Sequence, residues 1–420
     1  MGLILGIDIC DDYSQISAFN RQTGEPEEIS SGSPVMLDRI PTVICKRKGE
    51  DAWLIGAEAY KTALLGGGVL VDRLVALILK RGTATIEDVK YNSEYFMNRY
   101  ITSLVNLARD ACGAQEVESV VFTTMDLDPR VNDYFIRGAV FAGIEREKVH
   151  IYSHTETFAH YVLAQQGDIW TNQVSLFDLR TTGLYYYELR VMRGRKPWVI
   201  EATREKLPES FSPDVLGSPS GEKFADTILA SCAQRVLDKK TVTSVILTGR
   251  GFTATDWAKD FLTVICNRRR VFQSNQIFAQ GAAYAAMDLV ADETRYPYLF
   301  SCEGRLSSSV GLYAVYDGRR ELINLAKAGT NWYEAAAKAS FILDDLHCIE
   351  LVVTQTATGR SSIIEVSLDE LPARPNKTTR IELAVAFASE NKMTVRVYDR
   401  GFGDLFPSSD KIIKQDCILP

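Results

Sequence analysis

Residues 3–290 alternate apolar, strand-like runs with amphipathic, helix-like runs. The clearest helix lies at 93–112, where Phe96, Tyr100 and Leu104 recur every four residues on one helix face. Further helices are predicted at 130–142, 154–165, 221–237 and 276–290, and strands at 3–9, 14–20, 40–45, 53–55, 118–124, 149–152, 174–179, 184–191, 198–202 and 244–249. This alternation predicts an α/β fold for the first part of the chain.

The strand and helix pattern occurs twice in tandem. The first copy of the pattern begins with the apolar strand at 3–9, which carries Asp8, and the second copy begins with the strand at 174–179, which carries Asp178. Each copy has a βββαβα-like order of strands and helices. The pattern indicates a weak internal symmetry at the level of the fold, rather than a short sequence repeat.

The pattern changes after Asp292. Tyr296 and Pro297 interrupt the helices, and residues 300–420 are rich in strand patterns separated by Pro, Gly, Asn and Asp, which is typical of a β-sandwich. Strands are predicted at 310–316, 349–354, 362–366, 380–387 and 393–398, with one helix at 331–340. The domain boundary is placed near 292–305.

The composition argues against some classes of binding partner and indicates the cellular compartment. The chain has 420 residues and a net charge of -7, so it has no electrostatic attraction to nucleic acid or to an anionic membrane. Its eight cysteines are scattered without Cys-x-x-Cys spacing, which argues against a zinc site or a redox motif and favours reduced thiols in the cytoplasm. The N-terminus lacks the basic region of a signal peptide, and no apolar run reaches membrane-spanning length.

The histidines do not form a recognisable metal-binding motif. His150 and His154 are four residues apart, but a transition from strand to loop between them is expected to separate their side chains. His154 with nearby Glu156 falls short of the ligands that a metal site needs. A structural role is therefore the favoured interpretation of these histidines.

Several segments resemble, in order along the chain, the seventy-kilodalton heat-shock chaperone family. GIDICDDYS at 6–14 resembles the first phosphate-binding loop of that family, and VSLFDLRTTG at 174–183 stands where the second would be. SVILTGRGF at 244–252 stands at the adenosine loop, and QGAAYAA at 280–286 resembles the second connecting helix. The stretch at 368–401 resembles part of the family's β-sandwich, so the resemblance covers nearly the whole chain.

The resemblance implies a two-lobed, actin-like (ribonuclease H-like) α/β domain followed by a β-sandwich. Lobe I would comprise residues 1–170 and lobe II residues 171–295. Residues 300–420 would form a β-sandwich that resembles the chaperone's substrate-binding domain. In the family a whole subdomain that clamps adenine and ribose is inserted in lobe II, but only a short turn follows the helix at 221–237.

A nucleotide cleft between the lobes is also implied by the resemblance. Its residues here would be Asp8, Asp11, Asp12, Asp178, Thr181, Thr182, Gly183, Gly249, Arg250 and Gly251. In the family, the carboxylates that match Asp8 and Asp178 help to position water on the metal.

Both phosphate loops depart from the family pattern. Cys10, Asp11 and Asp12 replace a glycine and two threonines, and two carboxylates beside a triphosphate would each repel it by about 4 kcal/mol. Together they rival the roughly 8 kcal/mol of a micromolar affinity. Alternatively, the aspartates only form a turn, or magnesium offsets part of the repulsion. The second loop keeps only Gly183. DRLVALILKRG at 72–82 resembles the stretch that carries the family's catalytic lysine, and this alignment places Asp72 at the lysine position; the alternative is that the stretch is misaligned.

Charge on the opposing loops suggests how such a cleft would close. We predict that Arg180 and Arg250 face Asp11 and Asp12 and pair with cleft carboxylates, because a guanidinium can bind a carboxylate through two hydrogen bonds. At least one arginine should lie within hydrogen-bond reach of Asp8, Asp11, Asp12 or Asp178. The alternative is that all four side chains point into solvent.

These features predict a cytoplasmic, chaperone-like protein that acts by binding protein or peptide. No catalytic residues, bound metal or nucleotide cofactor are expected, and neither nucleic acid nor membrane is an expected partner; the oligomeric state stays open. One alternative is an ATP-binding chaperone ATPase with unorthodox loops that uses Mg-ATP. Another is an actin-like structural protein that assembles with itself.

Overall fold

The chain divides into two compact units in the computed structural model. The structure describes residues 2–30, 39–194, 196–209, 211–356 and 358–420. The first unit comprises Met1–Met192 and Ile200–Pro297, and the second comprises Arg193–Val199 and Tyr298–Pro420. The first is an α/β unit with two lobes, and the second is all antiparallel β.

The first lobe is a mixed sheet flanked by helices. Its elements are β1 (Leu3–Ile9), β2 (Tyr13–Asn20), β3 (Glu25–Glu28), β4 (Ile40–Pro41), β5 (Ile44–Arg47), β6 (Trp53–Ile55), α1 (Gly56–Leu64), β7 (Gly68–Val71), α2 (Leu74–Leu79), β8 (Thr83–Ile86), β9 (Val89–Asn92), α3 (Ser93–Cys112), β10 (Val117–Thr124), α4 (Pro129–Phe141), β11 (Val149–Ser153) and α5 (His154–Ala164). The main sheet has the order β3-β2-β1-β10-β11. Within it β1, β10 and β11 are parallel, whereas β2 and β3 are antiparallel to their neighbours.

The second lobe repeats this arrangement. Its elements are β12 (Gln173–Arg180), β13 (Gly183–Met192), β14 (Val199–Lys206), α6 (Pro219–Leu237), β15 (Val242–Thr248), α7 (Lys259–Ile265), β16 (Arg270–Gln273) and α8 (Ile277–Leu289). Five strands follow the order β14-β13-β12-β15-β16, with β12, β15 and β16 parallel. The sheets of the two lobes therefore have the same strand order, as the tandem sequence pattern predicts.

Helices pack on the sheet of the first lobe, with α8 against β1, β2 and β10, α3 against β2 and α4 against β11. Every residue of β1 is buried, as expected for parallel strands inside an α/β unit. Helix α8 lies very close to β1 and α5: a Cβ at Gly6 would stand 2.1 Å from the Ala279 carbonyl oxygen, and one at Gly281 would stand 1.9 Å from the Thr157 carbonyl oxygen. Only glycine allows backbones to approach so closely.

The helices begin and end at residues with recognisable capping chemistry. The Asn92 side chain accepts a hydrogen bond from the Tyr95 N–H at 2.8 Å to begin α3, and left-handed Gly113 ends it. Ser153 caps α5 by accepting from the Glu156 N–H. The predicted helix at 93–112 is thereby confirmed. None of the described helices combines the length and the hydrophobicity needed to cross a bilayer.

The second unit contains two four-stranded antiparallel sheets and one short strand, β17 (Leu299–Ser301), outside both of them. Its elements are β17 (Leu299–Ser301), β18 (Ser308–Tyr316), β19 (Arg319–Ala326), β20 (Ala336–Ile342), β21 (Cys348–Gln355), β22 (Ser361–Ser367), β23 (Arg380–Ser389), β24 (Lys392–Gly401) and β25 (Ile412–Ile418). The sheets have the orders β19-β18-β21-β22 and β20-β23-β24-β25. Apolar residues of both, such as Leu351 and Leu383, share one buried core.

The predicted helix at 331–340 is wrong. Strand β20 occupies Ala336–Ile342 and pairs antiparallel with β23. Its alanines favour a helix in isolation, but its burial alternates from residue to residue, which is the period of a strand. Packing against the neighbouring strand therefore overrides local propensity.

A buried ion pair holds the end of the second unit together. The Arg374 guanidinium donates to both Asp399 carboxylate oxygens, at 2.8 and 2.7 Å, and the Ser409 hydroxyl and the Gly401 N–H also donate to this carboxylate. Burial acts to raise the pKa of Asp399, but these hydrogen bonds outweigh it and hold the pKa well below its usual range.

Candidate functional site

A cavity of about 1520 Å³ is lined by residues of both lobes of the α/β unit. Five of the predicted cleft residues line it: Asp11, Asp12, Thr181, Thr182 and Arg250. Asp8 and Asp178 are not among the lining residues, because both are fully buried. Gly183, Gly249 and Gly251 also lie outside the lining.

Asp8 and His154 meet below the cavity because of the strand topology. Asp8 lies near the carboxyl end of β1, and His154 begins α5 directly after β11, so both belong to the same edge of the sheet. His154 Nε2 lies 2.7 Å from Asp8 Oδ1, and the imidazole stacks on Phe278 of α8 with ring centroids 3.9 Å apart. Burial lowers the pKa of His154, although Asp8 acts in the opposite direction. Lowering the pKa favours the neutral imidazole.

The thiol of Cys10 completes a group of three close donor atoms. Its Sγ lies 3.6 Å from Asp8 Oδ1 and 3.9 Å from His154 Nε2. Burial, with a further contribution from Asp8, raises the pKa of Cys10 well above its usual value. Cys10 nevertheless lines the cavity, so the group lies directly beneath the cleft. All eight cysteines are free thiols.

Arg180 joins this group to the second lobe. Its Nε donates to Asp178 Oδ2 at 2.5 Å, and its Nη1 donates to Cys10 Sγ at 3.0 Å. The guanidinium also lies over the Phe278 ring, 5.4 Å from its centroid. Burial acts to lower the pKa of Arg180, but Asp178 and other nearby acidic groups raise it well above the usual value. We call Asp8, Cys10, His154, Asp178 and Arg180 the cleft-floor cluster.

The hydrogen-bonding capacity of the cleft-floor cluster is not fully used. Among the described residues, no partner reaches Asp8 Oδ2, Asp178 Oδ1 or His154 Nδ1, and all three side chains are fully buried. A buried polar atom without a partner costs about 1–3 kcal/mol. The cluster therefore has spare capacity at three atoms.

Asp11 and Asp12 are held by backbone and hydroxyl groups. Asp11 Oδ1 accepts from the Ala76 N–H at 2.9 Å, in the first turn of α2. Asp12 accepts from the Tyr13 N–H at 3.0 Å and from the Thr181 hydroxyl at 3.4 Å. The Asp12–Thr181 contact joins the loop after β1 to the loop after β12.

The predicted closure of the cleft by its own charges is borne out for one arginine only: Arg180 bonds to Asp178, one of the four predicted cleft carboxylates, but neither Arg180 nor Arg250 pairs with Asp11 or Asp12. Arg180 bonds to Asp178 on its own strand, and Arg250 pairs at the surface with Asp214 at 3.2 Å. Arg180 instead turns inward because a buried carboxylate stands two residues before it, which loop charges alone do not indicate.

Other residues at the cleft were missed by the sequence analysis. Arg39 lies over the Tyr13 ring and donates across the cleft to the Gly249 carbonyl and the Thr253 hydroxyl, at 3.4 and 3.5 Å. Arg73, which has a left-handed backbone, lines the cavity. No local pattern marks these arginines. For Cys10, a signal was present in its departure from the chaperone loop that the sequence at 6–14 resembles.

The second lobe contains no inserted subdomain between α6 and β15. Helix α6 ends at Leu237 and β15 begins at Val242, so residues 238–241 form the entire connection. Of the described residues that line the cavity, six carry carboxylates (Asp11, Asp12, Glu28, Asp72, Asp126 and Asp128) and four carry guanidinium groups (Arg39, Arg73, Arg180 and Arg250). Asp126 and Asp128 are paired with Arg204 and Arg130, which lie outside the lining, so the cavity has no excess of positive charge.

Two family models match the chain. One, described as "Family of unknown function (DUF5716) C-terminal", matches residues 25–303, which is more than half of the chain. The other, described as "Domain of unknown function (DUF8552)", matches residues 305–419. None of the curated proteins matches the chain. The first match includes His154, Asp178 and Arg180, whereas Asp8 and Cys10 precede it.

Proposed function

We propose that this chain, which belongs to the DUF5716 C-terminal family of unknown function, is a heat-shock-chaperone-like protein that binds extended polypeptide without control by nucleotide. The second unit is the binding module, and the α/β unit is a scaffold. The free thiols fit a cytoplasmic location, because the cytoplasm keeps cysteines reduced.

The strand topology supports the relationship to the chaperones. An actin-like fold has two lobes of the same design, and here both lobes share one strand order. Asp8 of β1 pairs with Thr123 of β10, and Asp178 of β12 pairs with Thr248 of β15, so the two aspartates occupy equivalent positions. Two four-stranded sheets with one shared core support a β-sandwich in the second unit.

The α/β unit is proposed as a scaffold because its residues do not fit a magnesium-bound triphosphate. His154 and Arg180 already engage the carboxylates of Asp8 and Asp178. The lining of the cavity carries no excess of positive charge that would attract a triphosphate: six carboxylates stand against four guanidinium groups, and Asp126 and Asp128 are paired with Arg204 and Arg130 outside the lining. The short connection after α6 also leaves no inserted subdomain to cover an adenine.

One observation carries the proposed binding: an apolar outer face on the second unit. Tyr313, Val315, Leu322 and Ile363 are 51%, 73%, 42% and 58% exposed, respectively. Tyr313 lies opposite Leu322 in the β18–β19 pair, on the face that points away from the core. Exposed apolar residues that share one face of a sheet are typical of a binding surface.

The same sheet offers backbone groups to a partner. Strand β19 is an edge strand, so one side of its backbone has no neighbour in the sheet order. An extended peptide can add to such an edge through main-chain hydrogen bonds and place alternate apolar side chains on the adjoining face. This geometry favours an extended, apolar polypeptide as the ligand.

Fluorescence anisotropy with labelled, extended apolar peptides tests the proposal on the full chain. We expect saturable binding that weakens at least tenfold in a Val315→Ser/Leu322→Ser double variant, because a buried aliphatic side chain contributes about 1.5–3 kcal/mol. Leu405→Ser is the matched control, since Leu405 is 87% exposed in the same unit but outside the apolar outer face. Absence of peptide binding by the folded wild-type chain would remove the chaperone-like function.

Isothermal titration with Mg-ATP tests the scaffold role. We expect no stoichiometric heat and no change in peptide affinity when Mg-ATP is added. A low-micromolar, stoichiometric heat with steady phosphate release would favour the ATP-driven alternative. Light scattering that rises with protein concentration and follows assembly would favour the self-assembling, actin-like alternative.

A further inference from the structure

We propose that Asp8, Cys10 and His154 bind a divalent cation of the zinc class at the floor of the cleft. The proposal goes beyond peptide binding, because it concerns the α/β unit alone and assigns a ligand to its buried core. It combines the spacing of three donor atoms, the buried oxygens that lack partners and the charge of the cleft-floor cluster.

The three donor atoms have the spacing of one face of a tetrahedral site. Zinc lies about 2.3 Å from sulfur and about 2.0–2.2 Å from nitrogen or oxygen, so neighbouring donors in a tetrahedron stand about 3.3–3.6 Å apart. Here Cys10 Sγ stands 3.6 Å from Asp8 Oδ1 and 3.9 Å from His154 Nε2, and the last two atoms are 2.7 Å apart. Opening the short contact by about half an ångström completes the face of the tetrahedron.

Buried oxygens without partners point to a missing positive charge. Asp8 Oδ2 and Asp178 Oδ1 accept no hydrogen bond from any described residue, although both side chains are fully buried. Of the residues that the structure describes, Arg180 alone brings a guanidinium into hydrogen-bond contact with this cluster, so two carboxylates face a single fixed positive charge. A divalent cation bound by the Cys10 thiolate balances three negative groups against three positive charges.

The donor set selects among cations. A thiolate, an imidazole and a carboxylate suit zinc and similar borderline-soft ions, whereas magnesium prefers oxygen ligands alone. Binding releases the Cys10 thiol proton to solvent through the cavity that this residue lines. The Arg180 Nη1–H donates to the sulfur at 3.0 Å, as outer hydrogen bonds to metal-bound groups commonly do.

Such an ion joins parts of the fold that are far apart in sequence. Asp8 and Cys10 end the first strand of the chain, and His154 begins α5, which packs on α8. Through Arg180 the same group contacts β12 of the second lobe. The cation therefore links β1 and α5 directly, and β12 through Arg180, at the base of the cavity. An ATP-driven chaperone would hold its nucleotide at this position.

Cobalt(II) titration of the metal-stripped, full-length protein tests the site directly. We expect one equivalent per chain, with the visible absorption of a tetrahedral site and a thiolate-to-cobalt charge-transfer band, and we expect one equivalent of zinc to abolish both. Cys10→Ser should remove the charge-transfer band, and His154→Gln should weaken binding at least tenfold. Circular dichroism verifies that each variant is folded.

Cys232 provides the matched control. It is a buried thiol 3.6 Å from a carboxylate oxygen of Glu209 and 3.8 Å from a guanidinium nitrogen of Arg235, but no histidine forms part of its contacts among the described residues. Cys232→Ser should leave the cobalt spectrum unchanged. Binding of less than a tenth of an equivalent by the wild-type protein, a wild-type spectrum without a thiolate band, or a band that Cys232→Ser removes would overturn the proposal.

Discussion

Replacing Arg180 with methionine is expected to destabilise the α/β unit strongly. The substitution keeps most of the length of the side chain, but it removes the partner of the Asp178 carboxylate and the donor to Cys10 Sγ. Asp178 would then remain fully buried with neither oxygen bound by a cation. The expected effect is electrostatic rather than a loss of packing.

The size of the effect follows from burial. The Arg180 and Asp178 side chains are 3% and 0% exposed, so solvent screens their interaction very little. Removing one partner of a buried pair costs about 3–5 kcal/mol, whereas replacing both with apolar or neutral groups of similar size is often neutral. We therefore expect Arg180→Met to cost about 3–5 kcal/mol and Arg180→Met/Asp178→Asn to cost clearly less.

Urea unfolding of the full chain measures these free energies, since urea carries no charge that would screen the pair. The double-mutant cycle yields the coupling between the two side chains. Arg250→Met is the control, because Arg250 and its partner Asp214 are 55% and 69% exposed, and such surface pairs contribute about 0–1 kcal/mol.

Two outcomes would contradict the assigned role of the Arg180–Asp178 pair. If Arg180→Met costs less than about 1 kcal/mol, the guanidinium is not the buried counter-charge of Asp178. If the double variant is as unstable as the sum of the single variants, the two groups act independently.

Two further substitutions test the packing and the pH response of the fold. Gly281→Ala places a Cβ 1.9 Å from the Thr157 carbonyl oxygen and should lower the free energy of unfolding in urea by at least about 1–3 kcal/mol. Gly167→Ala is the control, because a Cβ there meets no atom within 4 Å and should leave the stability nearly unchanged. Equal effects of the two substitutions would contradict the close contact between α5 and α8. Asp399 has a lowered pKa when folded, so its carboxylate stabilises the protein above the unfolded pKa of about 3.9, and this stability is lost as the pH falls below that value. Asp399→Asn should therefore lower stability at pH 7 by about 3 kcal/mol and flatten the loss of stability below about pH 4, and an unchanged pH profile would argue against the Arg374 ion pair as its source.

Local patterns in the sequence predict much of the fold. The period of apolar residues locates α3 and most strands of the α/β unit, because each period reports directly which face of an element is buried. The tandem order of strands and helices also indicates two lobes of the same design. The pattern fails at β20, where an alanine-rich segment pairs with β23 and local propensity favours the wrong element.

The candidate site was predicted only in part. Resemblance to the chaperone loops identified Asp11, Asp12 and Thr181, which do line the cavity. It also suggested that charged loops would pair across the cleft, although Arg180 bonds to a buried carboxylate and Arg250 lies at the surface. Loop composition reports which charges are present, but not which of them turn inward.

The cleft-floor cluster could not be predicted from local patterns in the sequence. Scattered cysteines without paired spacing argue against a metal site in the sequence, yet Cys10 and His154, separated by 144 residues, stand 3.9 Å apart. Parallel strands β1, β10 and β11 bring these residues to one edge of the sheet, and the second lobe adds Arg180. Sequence spacing reports the geometry of a single helix or strand, whereas contacts between distant segments depend on sheet order and helix packing, which exist only in the folded chain.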